Sequence, residues 1–408
     1  MKNLYFTLFA LLLTFTACND EVTNPNDPPL PSTGDKTDFQ KMVIDYGLTT
    51  FQKVMADEED NVLVSPLSLE SALYMAMNGT AGKTLEEFRT ALKADEFYPD
   101  GLNAFYKELV KDLDPKNNST KLGLANTVFY DESKVTFHDE FEEIIKDVFD
   151  GDFNQADFRD AASVDIINDW AKDNTEERIK KILNEIKSDE ALFLINALYF
   201  TATWERGFEP TYTSKEEFTT EDGTTISVDM MASDDVRRFY QGNDYSAVDL
   251  KFSDDEYSMT FILPENDQRT LDFVNGFSEE AFYDFYTDLY ENKLIENRIM
   301  IRVPKFEIEA NKNMNDILME MGLETAFNDA DLSKMGTFNG GRTYFSRVLH
   351  DTFLKIDEKG AEGAAVTTVG VGVESVPPSI DFNRPFLFII RHVKTNTPIF
   401  IGKLGDPS

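Results

Sequence analysis

The chain has 408 residues and a formal net charge of −36, from 39 Lys plus Arg against 75 Asp plus Glu. So acidic a surface repels phosphate and sulfate, which makes nucleic acid and heparin-like polyanions poor partners. A single Cys rules out an intrachain disulfide and a cysteine-built metal site, and the three His show no ligand spacing.

Residues 1–17 have a secretory pattern. Lys2 supplies the positive start, and Leu4 to Phe15 form an apolar run shorter than the ~20 residues a membrane span needs. Thr16-Ala17 then precedes Cys18, the chain's only cysteine, which resembles a bacterial lipobox although Phe15 departs from its aliphatic pattern. The resemblance implies lipidation at Cys18. The acids Asp20 and Glu21 resemble the surface-export signal of Bacteroidota lipoproteins, so the chain is expected at the outer membrane or cell surface. Residues 18–37, rich in Pro, Asn, Asp and Thr, offer little to bury and read as a solvated tether. The globular part is expected over 38–408 as one unit, with no repeat and no second linker.

Phe39, Met42, Val43, Tyr46 and Phe51 give a helical period over 38–55. A short strand over 61–64 stops at Pro66, and a helix follows to Gly79. Residues 84–112 read as acidic-faced helices, 121–130 as a strand, and 137–148 and 164–183 as helices. Ala191 to Phe200 is almost continuously apolar, the pattern of a strand covered on both faces. Strands are expected at 226–231, 246–252, 257–263, 299–308, 343–356, 386–393 and 398–404, with a helix at 314–321. The class is α+β.

Signals for catalysis are absent. No GxSxG or SxxK motif occurs, and Gly370-Val371-Gly372 lacks the third glycine of a nucleotide loop. His350 lies in a strand pattern without an accompanying nucleophile, so it reads as a core histidine. Trp170 and Trp204 read as core.

The unusual segment is 358–385. Alternate residues Ala361, Gly363, Ala365, Thr367, Val369, Val371 and Val373 are small or apolar, while the other register carries Glu362 and Glu374. That period of two belongs to a strand with one buried face. A Pro-Pro turn and two glycines nonetheless mark a loop. A segment exposed in one state and paired in a sheet in another satisfies both patterns.

This segment resembles the reactive-centre loop of serpins. Glu358-Lys359-Gly360-Ala361-Glu362-Gly363-Ala364-Ala365 is similar to the serpin hinge, and Phe382-Asn383-Arg384-Pro385-Phe386 to the motif after the loop. Asn61 to Ser68, Asn78 to Thr84, Ile167 to Trp170, Asn196 to Phe200 and Met321 to Leu323 resemble further serpin motifs, in serpin order. The resemblance implies one domain over 38–408 with a large central mixed sheet, further sheets, about nine helices and a reactive-centre loop at 358–382. It also implies a monomer with no cofactor. The implied function is suicide inhibition of serine proteases in a covalent 1:1 complex, with papain-like cysteine proteases a second target class. A protease attacks the loop and becomes acylated. The cut loop then inserts into the central sheet and drags the enzyme along. A hinge of small residues allows fast insertion, and this one has no proline and no bulky residue. A non-inhibitory binding protein on the same fold is the alternative. The acidic region 84–112 argues against activation by glycosaminoglycans.

Counting fourteen residues on from Gly360 gives 374, and eight back from Phe382 also gives 374. The expected scissile bond is Glu374–Ser375, with Val373–Glu374 the runner-up and Val371–Gly372 third. Small aliphatic residues suit an elastase-like pocket, and Glu374 disfavours trypsin-like enzymes. Ser65, Ser68, Asn196 and His350 resemble the polar residues beneath the parting strands, and Trp204 resembles a packing position at the top of the sheet. Their implied role is structural.

Overall fold

The computed structural model describes residues 34–56, 60–265, 268–361 and 377–408. The expected signal peptide, Cys18, most of the tether and the loop residues Glu362, Gly363, Ala364, Ala365, Val373, Glu374 and Ser375 lie outside them.

Nine α-helices lie among the described residues: α1 (Lys36–Ala56), α2 (Pro66–Asn78), α3 (Gly82–Ala91), α4 (Pro99–Leu113), α5 (Asp139–Phe149), α6 (Ala162–Asn174), α7 (Thr270–Asn275), α8 (Glu279–Asp288) and α9 (Asn315–Glu320). Helix α1 starts at Lys36, inside the expected tether, because Asp35 accepts the Thr37 and Asp38 N–H groups and caps the first turn. Helix α2 starts where the sequence places it. Ser65 is extended and accepts the Ser68 N–H, and Pro66 needs no donor at the first helical position.

The sheet that matters for function has six strands: β1 (Thr120–Tyr130), β2 (Asp152–Gln155), β3 (Leu192–Thr203), β4 (Phe306–Asn313), β5 (Leu349–Asp357) and β6 (Gly360–Ala361). Their order is β4-β5-β6-β3-β1-β2. The β1–β2 pair is parallel and the other pairs are antiparallel, so β3 and β5 run in the same direction with β6 between them. A nine-stranded sheet is built on Phe386–His392 and Pro398–Leu404, buried along their whole length. Between the layers lies a core running from Phe39 to Leu404.

Three expectations need correction. The helix expected over 164–183 stops at Asn174. Thr175 donates to Ala171 O and accepts the Ile179 N–H, and Glu176 and Glu177 turn the chain with positive φ. The strand expected over 299–308 is two strands, Ile295–Pro304 and β4, in different sheets on either side of Lys305. The strand expected from 343 starts at Leu349, because residues 344–348 are bonded to other segments instead.

Candidate functional site

The site is the space between β3 and β5. At its upper end β5 turns back on itself and seats Gly360 and Ala361 between the two strands. Gly360 faces Thr203 and Asp357, and Ala361 faces Ala202 and Ile356. The start of the hinge is therefore already in the sheet, where a wholly exposed loop from 358 was expected. Gly360 has φ +149°, and a Cβ there would lie 1.9 Å from Ala202 O, so only glycine fits. Ala361 is 1% exposed.

The turn is anchored by the segment that follows β3 and by Lys305. The Trp204 N–H donates to Lys359 O at 2.8 Å and its indole Nε1 to Asp357 O at 3.1 Å. Its ring stacks on Phe252 with centroids 4.5 Å apart. The Phe208 N–H donates to Glu358 O, and the Glu358 carboxylate takes Lys305 Nζ at 2.6 Å and Thr213 Oγ1 at 2.8 Å. These donors hold the Glu358 carboxyl below its ordinary range against the opposing effect of burial.

Below Ala361 neither β3 nor β5 has a described partner on the side that faces the other. A strand edge with free N–H and C=O groups is a template for another strand. At the lower end lies a cavity of about 380 Å³, lined among others by Ser68, Leu69, Ala72, Asn196 and His350.

The polar residues expected under the sheet are partly joined. The Ser65 N–H donates to His350 Nε2 at 3.0 Å, and Ser65 Oγ accepts the Ser68 N–H. Asn196 turns instead to β1, donating to Asn126 Oδ1 at 2.8 Å, and its own Oδ1 is buried without a hydrogen-bond partner. Since His350 Nε2 accepts, its proton sits on Nδ1, which has no partner among the described residues. Burial lowers His350 to about 4, so the ring is neutral. The slot thus carries one unused acceptor on β3 and one unused donor on β5.

Some residues of the region give no signal in the sequence. Asn126 joins Asn196 to Ser71 and Phe149 O. Glu70, on α2, is 1% exposed with both carboxylate oxygens unpartnered, and burial raises its pKa strongly. Nothing in LSLESAL distinguishes that Glu from one on a solvated face.

Comparison with known proteins decides the family. The family model "Serpin (serine protease inhibitor)" matches residues 42–407. The chain is a serpin. Human antithrombin-III is 32% identical over 378 residues, covering 88% of this chain and 80% of that protein. The thermophilic serpin tengpin in its native state superposes with a TM-score of 0.83 at 31% identity, covering 93% of this serpin and 97% of tengpin; its latent state gives 0.78. Human thyroxine-binding globulin, solved in complex with thyroxine, gives a TM-score of 0.81 at 22% identity over 91% and 99% of the two chains. At that identity the likeness shows the shared fold alone. The α+β serpin fold and the protease-inhibitor superfamily follow for this chain.

Proposed function

We propose that this serpin is a suicide inhibitor of serine proteases whose cut loop completes the sheet between β3 and β5. The seating of Gly360 and Ala361 at the head of two unpaired strand edges carries the reading. Those two residues set the register. Six residues beyond Ala361, Thr367 would face Asn196 on β3 and His350 on β5. Its hydroxyl can accept from His350 Nδ1–H and donate to Asn196 Oδ1, so both unused groups would be satisfied at once. Gly363 and Ala365 would fall beside Phe200 and Leu354 and beside Leu198 and Thr352, all buried, where a larger side chain would collide. A strand from 360 to 374 is about 50 Å long at ~3.3 Å per residue, enough to carry an acylated enzyme far from the hinge.

The target class we favour is elastase-like, attacked at Glu374–Ser375 with Val373–Glu374 as the alternative, and papain-like cysteine proteases are a second class. Lipid anchoring through Cys18 at the cell surface or outer membrane, and a monomeric chain, belong to the same proposal. The test is a gel. An elastase-like enzyme should give a detergent-stable band at the summed mass, and mass spectrometry of the released peptide should find Ser375 or Glu374 at its start. Trypsin should be inhibited poorly, because 361–383 contains no Lys or Arg, and Glu374→Arg should reverse that preference. A chain that is cut or bound without a stable band would be a non-inhibitory binding protein.

A further inference from the structure

The end of the slot opposite the hinge is tied shut. The segment leading into β3, residues 185–190, is bonded to the segment leading into β5, residues 344–347. Arg347 Nη2 lies 2.8 Å from Glu190 Oε2, with side-chain exposures of 12% and 0%. Ser346 Oγ donates to Glu190 Oε1 at 2.8 Å, and Arg347 Nη2 also donates to Glu185 O at 2.6 Å. Tyr344 OH donates to Asp189 Oδ2 at the surface. The near side is stiffened in turn. The Lys187 N–H donates to Glu190 Oε2, and Lys134 Nζ donates to Ser188 O and Glu190 O. Asp189, Glu190, Tyr344, Ser346 and Arg347 also line the cavity described above.

We propose that Glu190, Arg347, Ser346, Asp189 and Tyr344 form a clasp that sets the rate at which a strand can finish inserting between β3 and β5. The inference rests on the loop-insertion reading. In the register of Gly360 and Ala361, a strand running to 374 must pass between Glu190 and Tyr344. Neighbouring strands lie ~4.8 Å apart, so a new strand here would hold the two segments about two spacings apart. With that spacing the short Ser346 side chain no longer reaches Glu190, and the Arg347–Glu190 pair keeps its contact only by leaving its present place and arching over the inserted strand. The clasp must therefore open before insertion is complete, and opening it exposes or strands a buried Glu–Arg pair, which is costly. Until then it keeps an uncut loop from inserting unprompted.

The test uses the purified full chain, uncut, held at raised temperature. Loss of trapping activity and gain of heat resistance are followed together. Glu190→Gln keeps the shape and removes the charge, and it should convert about tenfold faster than the parent, the size expected for losing one charged hydrogen bond. Tyr344→Phe, at the surface, should give a smaller rise of the same sign, and it stands in if Glu190→Gln does not fold. Exchanging the pair, Glu190→Arg with Arg347→Glu, should restore a slow rate. Parental rates in both single variants, with a parent that traps protease normally, would overturn the clasp alone. A parent that neither traps protease nor converts would overturn the loop-insertion reading, and the clasp with it.

Discussion

Lys305 Nζ lies 2.6 Å from Glu358 Oε1 at the point where the hinge turns back between β5 and β3. Lys305 separates the strand Ile295–Pro304 from β4, so this one contact joins the nine-stranded sheet, the edge of the six-stranded sheet and the hinge. Glu358→Lys should set two cations face to face and leave Thr213 Oγ1 without its acceptor. The uncut protein should lose about 2 kcal/mol of stability in urea unfolding, the scale of a charged hydrogen bond. An unchanged midpoint would mean that the turn is held by Trp204 and Phe208 alone.

Ala361 is enclosed between Ala202 and Ile356. Ala361→Arg would put a charge where the first inserted side chain must be buried, at a cost of several kcal/mol if unpaired. Cleavage should continue while the covalent complex disappears, so the variant behaves as a substrate. Full complex yield on a gel would contradict the insertion step.

Thr367→Val keeps the shape of the side chain and removes the hydroxyl. In the uncut protein it should change little. After cleavage, His350 Nδ1–H and Asn196 Oδ1 would remain unsatisfied, a loss of about 1–3 kcal/mol. The thermal midpoint of the cleaved form should fall while that of the uncut form holds. Equal shifts in both forms would place Thr367 elsewhere.

The acid side of the stability profile follows from His350. Its pKa is lowered from 6.5 to about 4 by burial. Between those values the unfolded chain binds the proton and the folded chain does not. Stability therefore falls as pH drops from about 6.5 towards 4, by about 3 kcal/mol for a displacement of that size. His392 is lowered to about 4 as well and acts in the same direction. His350→Gln, which can still accept from the Ser65 N–H, should flatten part of the slope in denaturant titrations at pH 4–7. A parallel slope in the variant would assign the effect to other groups.

Several elements were legible because one physical cause dominated them. The strand β3 announces itself by ten nearly unbroken apolar residues, although Leu192, Leu194, Ile195 and Tyr199 are only partly buried in the structure. Helix α2 is marked by Ser65 and Pro66 at its start. The hinge was legible as alternation, but not that Gly360 and Ala361 are already seated, because that depends on Trp204, Phe208 and Lys305 from distant parts of the chain. The end of α6 was misplaced because Ile179 and Ile182 continue the apolar period, while Thr175 stops the helix by hydrogen bonding that no periodicity encodes. The late start of β5 has the same origin, since Ser346 and Arg347 spend their polar groups on Glu190. Asn196 resembled a polar residue beneath the parting strands, yet its choice of Asn126 was not readable from spacing.

The most direct measurement is the thermal midpoint before and after a single cut between 369 and 374. If the loop completes the sheet, the cleaved chain gains a full strand with its hydrogen-bond ladder on both sides, and its midpoint should rise by tens of degrees. A cleaved chain that melts at the temperature of the uncut one would contradict the account and leave this serpin a non-inhibitory member of its family.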